Sequence, residues 1–303
     1  MTVVQETGVA GRLSGTRGPV PRLGGRFRLD ERITAAGGLS LWKATDELLC
    51  RAVTIHLLPR GIAVPAHVVA AVQAAARVSD PRLATVYDTD YSIESPYIVS
   101  EWTRGTHLED LLLSGLPGPA LAAAMIADAA DALAVAHQAG RPHLCLGPRS
   151  LRWDTSSGLK ITGLGIDAAL FGISAADPAA ADTMALARML YAMLTGCWPG
   201  DEPTALPTAP RHKGRVYTPR QVRAGVPGVL DAITCHALRL GPPGGPQPVL
   251  TPAGLAMALR SVQRPSCPPV HPAEPTRPAP VRPRHMRSRG GVRHRTTLLR
   301  PAA

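Results

Sequence analysis

Between Lys43 and Lys160 the chain contains no lysine, and between Glu47 and Glu94 no glutamate. Gly37 and Gly38 lie between two strand-like runs, where glycine lets backbone N–H groups come close to an anion. The next β-branched strand, Val53-Thr54-Ile55-His56, ends on an imidazole. That group is shorter than a lysine chain and largely neutral at pH 7, so His56 makes a poor phosphate clamp and reads as either a nucleotide contact or a packed strand histidine. Further on, His143-Leu144-Cys145 and Asp182 are the groups that could do acid–base or nucleophilic work. Cys145 has no cationic neighbour in sequence to activate it, which favours an inert thiol over a reactive one.

The elements that must position these groups change character along the chain. Residues 1–25 are rich in glycine and arginine without periodicity and read as disordered. From Arg26 the pattern is strand-like: Phe27 and Leu29 alternate with polar neighbours, and 39–44, 52–58, 84–87 and 97–102 follow, with one short helix over 67–78. Beyond Gly105 the periodicity becomes helical. Pro119 opens a long helix with Leu121, Met125, Ala129 and Leu133 on its inner face, and Gly140 closes it. Asp154 to Gly158 reads as a hairpin turn, and a second strong helix spans 183–195 with Asp182 as its cap. Later helices are expected over 219–224, 228–240 and 252–262.

Composition narrows the partners. The formal charge is +11, but residues 264–303 hold nine arginines against the single acid Glu274, so the tail carries +8 and the remainder +3. Nine prolines in the same forty residues describe an extended polybasic tail. It suits an anionic membrane surface. Without aromatic residues for base stacking, nucleic acid is not the expected partner. Five scattered cysteines (Cys50, Cys145, Cys197, Cys235, Cys267) with no C-x-x-C pair point to reduced thiols in a cytoplasmic setting, with no metal site. No secretory signal is apparent, and the most apolar stretch, 120–136, is interrupted by Asp128 and Asp131, so no membrane span is expected.

Several landmarks occur in order: Phe27 to Ile33, Leu41 to Asp46, Gln73 to Pro81, Tyr97 to Trp102, Ala136 to Gly140, and Asp182 followed by Leu190 to Gly196. With them, residues 26–263 resemble an actinobacterial Ser/Thr protein kinase domain. The resemblance implies an α+β, bilobal fold with a β-rich N-lobe (26–100), a hinge and a helical C-lobe (104–263). It also implies which positions should hold the machinery, and these depart from it. His56 stands for the phosphate-binding lysine, Ala71 for the C-helix glutamate and Cys145 for the catalytic aspartate. Ser150 stands for the metal-binding asparagine and Gly163 for the metal-binding aspartate. His143 and Asp182 are kept, in structural roles. Gly37, Gly38, Ser100 at the gatekeeper position, Glu101 and Trp102 mark what remains of a nucleotide site.

The expectation is therefore a pseudokinase with no metal and no obligatory cofactor, metal-independent ATP binding staying open. The alternative is a Ser/Thr kinase or ATP sensor with atypical catalytic residues. The stretch Tyr217 to Pro227 resembles one found in pseudokinase domains linked to the lipid-flippase protein of peptidoglycan synthesis. That likeness implies a cytoplasmic scaffold able to associate with a membrane. Its partners would be an active Ser/Thr kinase and a forkhead-associated domain protein, with Thr276, Thr296 and Thr297 as candidate phospho-acceptors.

Overall fold

The computed structural model describes residues 22–92, 94–240 and 249–263. The polybasic tail and Thr276, Thr296 and Thr297 lie outside the described residues. The first lobe is a six-stranded antiparallel sheet in the order β1-β2-β3-β4-β6-β5, built from β1 (Arg22–Leu23), β2 (Phe27–Ala36), β3 (Leu39–Asp46), β4 (Arg51–Leu57), β5 (Val86–Asp90) and β6 (Tyr97–Glu101). Helix α1 (Ala66–Ala75) packs against it.

Two-residue periodicity sorts the faces of β4. Val53 and Ile55 are fully buried among Phe27, Leu29, Tyr97 and Val99 on one side, which leaves Thr54 and His56 on the other. Their cross-strand partners are Ser100 and Ile98 on β6, and Leu41 on β3 also pairs with His56. Ala36 pairs with Leu39 across Gly37-Gly38, whose φ values of 58° and 82° suit a two-residue hairpin loop.

The second lobe contains β7 (Thr106–His107), α2 (Leu108–Ser114), α3 (Pro119–Gln138), β8 (Leu151–Asp154), β9 (Gly158–Ile161), α4 (Ile166–Phe171) and α5 (Pro178–Thr195). A small hairpin, β10 (Arg211–His212) and β11 (Arg215–Val216), then leads to α6 (Pro219–Val222), α7 (Gly228–Ala237) and α8 (Pro252–Gln263). β7, β8 and β9 form a three-stranded sheet under the hinge. The lobes are stitched at Arg82–Ala84, where Ile161 N–H donates to the Arg82 carbonyl (2.7 Å) and Ala84 N–H to the Ile161 carbonyl (2.8 Å).

The β-rich and helical halves fall where the sequence pattern puts them, and four local expectations are corrected. Residues 22–25 are ordered: β1 pairs with β2 and Leu23 is buried on Phe27 and Tyr97. The strand expected at 84–87 runs over 86–90, because 82–84 is taken by the bridge to β9. Leu121 is 43% exposed, so the buried face of α3 is built from Ala122, Ala123, Met125, Ile126, Ala129, Ala130, Leu133 and Ala136. Those small side chains let α5 and α8 approach closely, and α3, long and apolar enough to cross a membrane, has more than half its length buried in this core. Finally, Asp182 is not a cap. Asp177 caps α5 by accepting from Ala180 N–H (3.0 Å), with Pro178 at the first helical position, so Asp182 lies within the helix.

Asp46 closes β3. It is fully buried and takes two hydrogen bonds from Arg26 (2.8 and 2.7 Å) and one from Leu49 N–H (3.2 Å). The Arg26 bonds, opposed by burial, hold its carboxyl down to about 2. A depressed folded value means the stabilisation is complete above the ordinary 3.8 and fades as pH falls towards about 2. Chemical denaturation followed from pH 6 to about pH 2 is expected to show Asp46→Asn less stable than the parent at the upper end, with the difference shrinking in acid. A difference independent of pH would contradict this account.

Candidate functional site

Between the lobes lies a cleft of about 380 Å³, within the size range of small-ligand sites. Its roof comes from β2 and β3 (Ile33, Thr34, Leu41), its back from β4 and β6 (Thr54, His56, Ser100) and its outer edge from Glu101, Trp102 and Thr103. Cys145, Leu146, Gly147, Ser150, Thr162, Gly163 and Asp167 form the floor. The segment after α5 closes the lower end with Trp198, Glu202, Pro203 and Thr204.

The floor depends on Asp182. Its Oδ2 accepts from His143 N–H (2.7 Å) and contacts His137 Nε2 (2.8 Å), while its Oδ1 accepts from Leu144 N–H (2.7 Å). Leu144 is held at φ 62°, a backbone state that leucine rarely adopts. His143 is fully buried. Its Nδ1 accepts from Cys145 N–H (3.3 Å), so its Nε2 carries the proton donated to the Thr162 carbonyl (2.8 Å). The two groups thus fix the loop 143–145 between α3, α5 and the end of β9.

The thiol of Cys145 lines the cleft, pushed up to about 11 by burial and, secondarily, by the Asp167 carboxylate. Ser150 is consumed locally, since its hydroxyl donates to the Gly147 carbonyl (2.8 Å) and accepts from Gly147 N–H (2.9 Å). Ala71 lies on the α1 face towards Leu164, Ala168 and Ala169, beside a separate depression. Gly37 lines an apolar hollow with Pro59, Ile62 and Phe171, and Gly38 sits against Pro59. Neither glycine is among the residues lining the main cleft.

Sequence reasoning missed Asp167. Its N–H donates to the Gly163 carbonyl (3.3 Å), a helical turn that brings its carboxylate back over Gly163. A Cβ on Gly163 would stand only 2.1 Å from Asp167 Oδ2. The carboxylate therefore fills the space that a side chain at 163 would need, and Oδ1 pairs with His56 Nε2 (3.3 Å). The signal was the i, i+4 spacing from Gly163 to Asp167, legible only once a helix starts there.

The remaining charges are spoken for. Glu101 pairs with Lys160 (2.6 Å) and Glu109 with Arg149 (2.7 Å), and Glu202 pairs with Arg188. Arg152 donates to the Gly105 carbonyl (2.8 Å) and stacks on Trp102 (5.4 Å), whose ring Lys43 also faces (5.0 Å). The narrow space under the β2–β3 hairpin is lined by Thr34, Ala36, Leu39, Ser40, Leu41, His56, Asp167, Leu170 and Phe171, with no lysine or arginine.

No protein-family model matches the chain. It is 27% identical to the serine/threonine-protein kinase PknB of Mycobacterium leprae over 284 residues, covering 82% of this chain and 45% of that kinase. It is 31% identical to PknB of Mycolicibacterium smegmatis over 201 residues, covering 56% of this chain and 32% of that one. It is 32% identical to the probable serine/threonine-protein kinase SCO3848 of Streptomyces coelicolor over 160 residues, covering 49% of this chain and 24% of that protein. The chain is protein kinase-like. It spans less than half the length of these curated relatives.

Magnesium–ATP, which a kinase-like fold implies, matches this donor set poorly. Magnesium is held by one or two carboxylates plus phosphate oxygens; among the described lining residues Asp167 is the one carboxylate without a lysine or arginine partner, and the Ser150 hydroxyl that would join it is spent on Gly147. Among the described residues no cluster of three or more His, Cys, Asp or Glu side chains could hold a metal. The triphosphate would also lack a lysine or arginine beneath the hairpin.

Two outcomes follow. Asp182→Ala strands three donors in the core and is expected to cost at least about 3 kcal/mol in a denaturation experiment; a loss under about 1 kcal/mol would contradict its anchoring role. A maleimide at neutral pH should label exposed Cys50 well before Cys145, with peptide mass mapping as the readout. Equal rates would mean that the Cys145 thiol is neither sheltered nor raised.

Proposed function

We propose that this chain is a kinase-like domain without phosphoryl-transfer activity, acting as a regulatory binding module. One observation carries the reading: where the resemblance implies the carboxylate that accepts the substrate proton, Cys145 presents a thiol pushed up to about 11. Such a thiol stays protonated at neutral pH and cannot act as a base. The spent Ser150 hydroxyl and the cation-poor space beneath the hairpin support it, because electrostatic stabilisation is most of what phosphoryl transfer asks of a protein.

The likeness of Tyr217 to Pro227 to flippase-linked pseudokinase domains extends the proposal to a scaffold in cell-envelope regulation. That stretch forms a local unit: Gln221 Oε1 accepts from Thr218 N–H (2.8 Å) and the Tyr191 hydroxyl donates to the Tyr217 carbonyl (2.9 Å). An active Ser/Thr kinase and a forkhead-associated domain protein are the proposed partners, with Thr276, Thr296 or Thr297 as acceptors. The arginine-rich tail would add attraction to an anionic membrane. A second reading, a Ser/Thr kinase working through a displaced acid, is favoured by Asp167 standing in front of Gly163.

Purified protein incubated with radiolabelled ATP, magnesium or manganese, and a generic protein substrate is expected to incorporate no more phosphate than Cys145→Ala. Incorporation that disappears in Asp167→Asn would overturn the inactive reading in favour of the second. For the scaffold, affinity capture before and after treatment with an active kinase should recover a phosphopeptide-binding protein only after treatment. Identical recoveries would count against the docking role.

A further inference from the structure

We propose that the cleft binds a flat, mostly apolar, metal-free ligand carrying an amino or protonated nitrogen, and that Asp167 is the group that selects it. The inference rests on the inactive reading of the same cleft and names the ligand class that reading leaves open. Charge is the first argument. Among the described lining residues, Glu101, Glu109 and Glu202 each have a lysine or arginine partner, whereas Asp167 has an imidazole. It is the carboxylate with attraction left to offer a donor, and it would repel a phosphate chain. The two arginines of the lining do not offset it, since Arg149 is held by Glu109 and Arg152 by the Gly105 carbonyl and Trp102.

Shape is the second argument. Ile33 and Leu41 above and Leu146 below make an apolar slot, and its floor is fixed by the Asp182-anchored loop. At the back, Ser100 is small, and the hydroxyls of Ser100 and Thr103 make no hydrogen bond to the described protein while facing the cleft. They can therefore donate to or accept from ring nitrogens. Beneath the hairpin, Leu170 and Phe171 of α4 line the path along which a phosphate tail would run. A compact ring system with its basic nitrogen towards Asp167 uses every one of these features; a nucleoside triphosphate uses the slot and its hydroxyls but sets its phosphates against Asp167, Leu170 and Phe171.

Isothermal titration of the full chain with 4-aminoquinoline, adenosine, ATP and ATP–magnesium tests this. 4-Aminoquinoline, protonated at neutral pH, is expected to bind most tightly, adenosine next, and ATP at least about 10-fold more weakly than adenosine with no gain from magnesium. Asp167→Asn should weaken 4-aminoquinoline about 10-fold or more while changing adenosine little, with an unchanged melting temperature excluding misfolding. Ser100→Met, which fills the back of the slot, should abolish both. Tighter binding of ATP–magnesium than adenosine, equal 4-aminoquinoline affinity in Asp167→Asn, or no binding by any probe would each overturn the proposal. The phosphate-transfer assay reads the inactive reading separately: transfer would sink that reading, whereas failed 4-aminoquinoline binding alone sinks only the ligand assignment.

Discussion

Asp182, enclosed by α3 and α5, holds the backbone N–H groups of His143 and Leu144 and the ring of His137. The strained Leu144 is held by it, and through the His143 ring, bonded to Thr162, the constraint reaches the end of β9. A carboxylate this deeply buried persists only when its acceptor sites are filled by donors, as they are here. The loop it pins forms the floor of the interlobe cleft, so the shape of that cleft follows from one buried hydrogen-bonded acid. The acid that holds the floor in shape and the groups that line the cleft are therefore different residues.

The cleft itself turns on α4. This single turn and a half of helix begins at a glycine with φ 66°, swings Asp167 over Gly163 and sets Leu170 and Phe171 under the β2–β3 hairpin. Gly163 and Asp167 are thereby complementary, since any side chain at 163 would collide with the carboxylate. His56 completes the arrangement by reaching from the sheet to Asp167, and His67 on α1 reaches the Ala169 carbonyl (3.3 Å). The first lobe thus touches α4 through two histidines, one from the sheet and one from α1.

Much of the fold was legible from periodicity. The β-branched run over 52–58 already marked β4, and the 154–158 turn and the helices after Pro219 and Pro252 were marked by their breakers. The start of α5 was misplaced because Asp182 looked like a cap, although Asp177-Pro178 is the stronger helix-start signal. Leu121 was misassigned because α3 buries alanines, and on an alanine-rich helix hydrophobicity alone does not tell the packed face from the open one.

The sequence by itself determined which residue types stand at the positions that the kinase resemblance assigns to phosphate, base and metal, because type and order survive without coordinates. It therefore specified a thiol at 145, a glycine at 163 and an imidazole at 56. Only the tertiary structure decided that Asp167 refills the space at Gly163, that Ser150 is consumed by Gly147 and that Lys43 turns to Trp102. Those outcomes depend on where a short helix starts and on which partner lies within about 3 Å, quantities that side-chain identity does not encode.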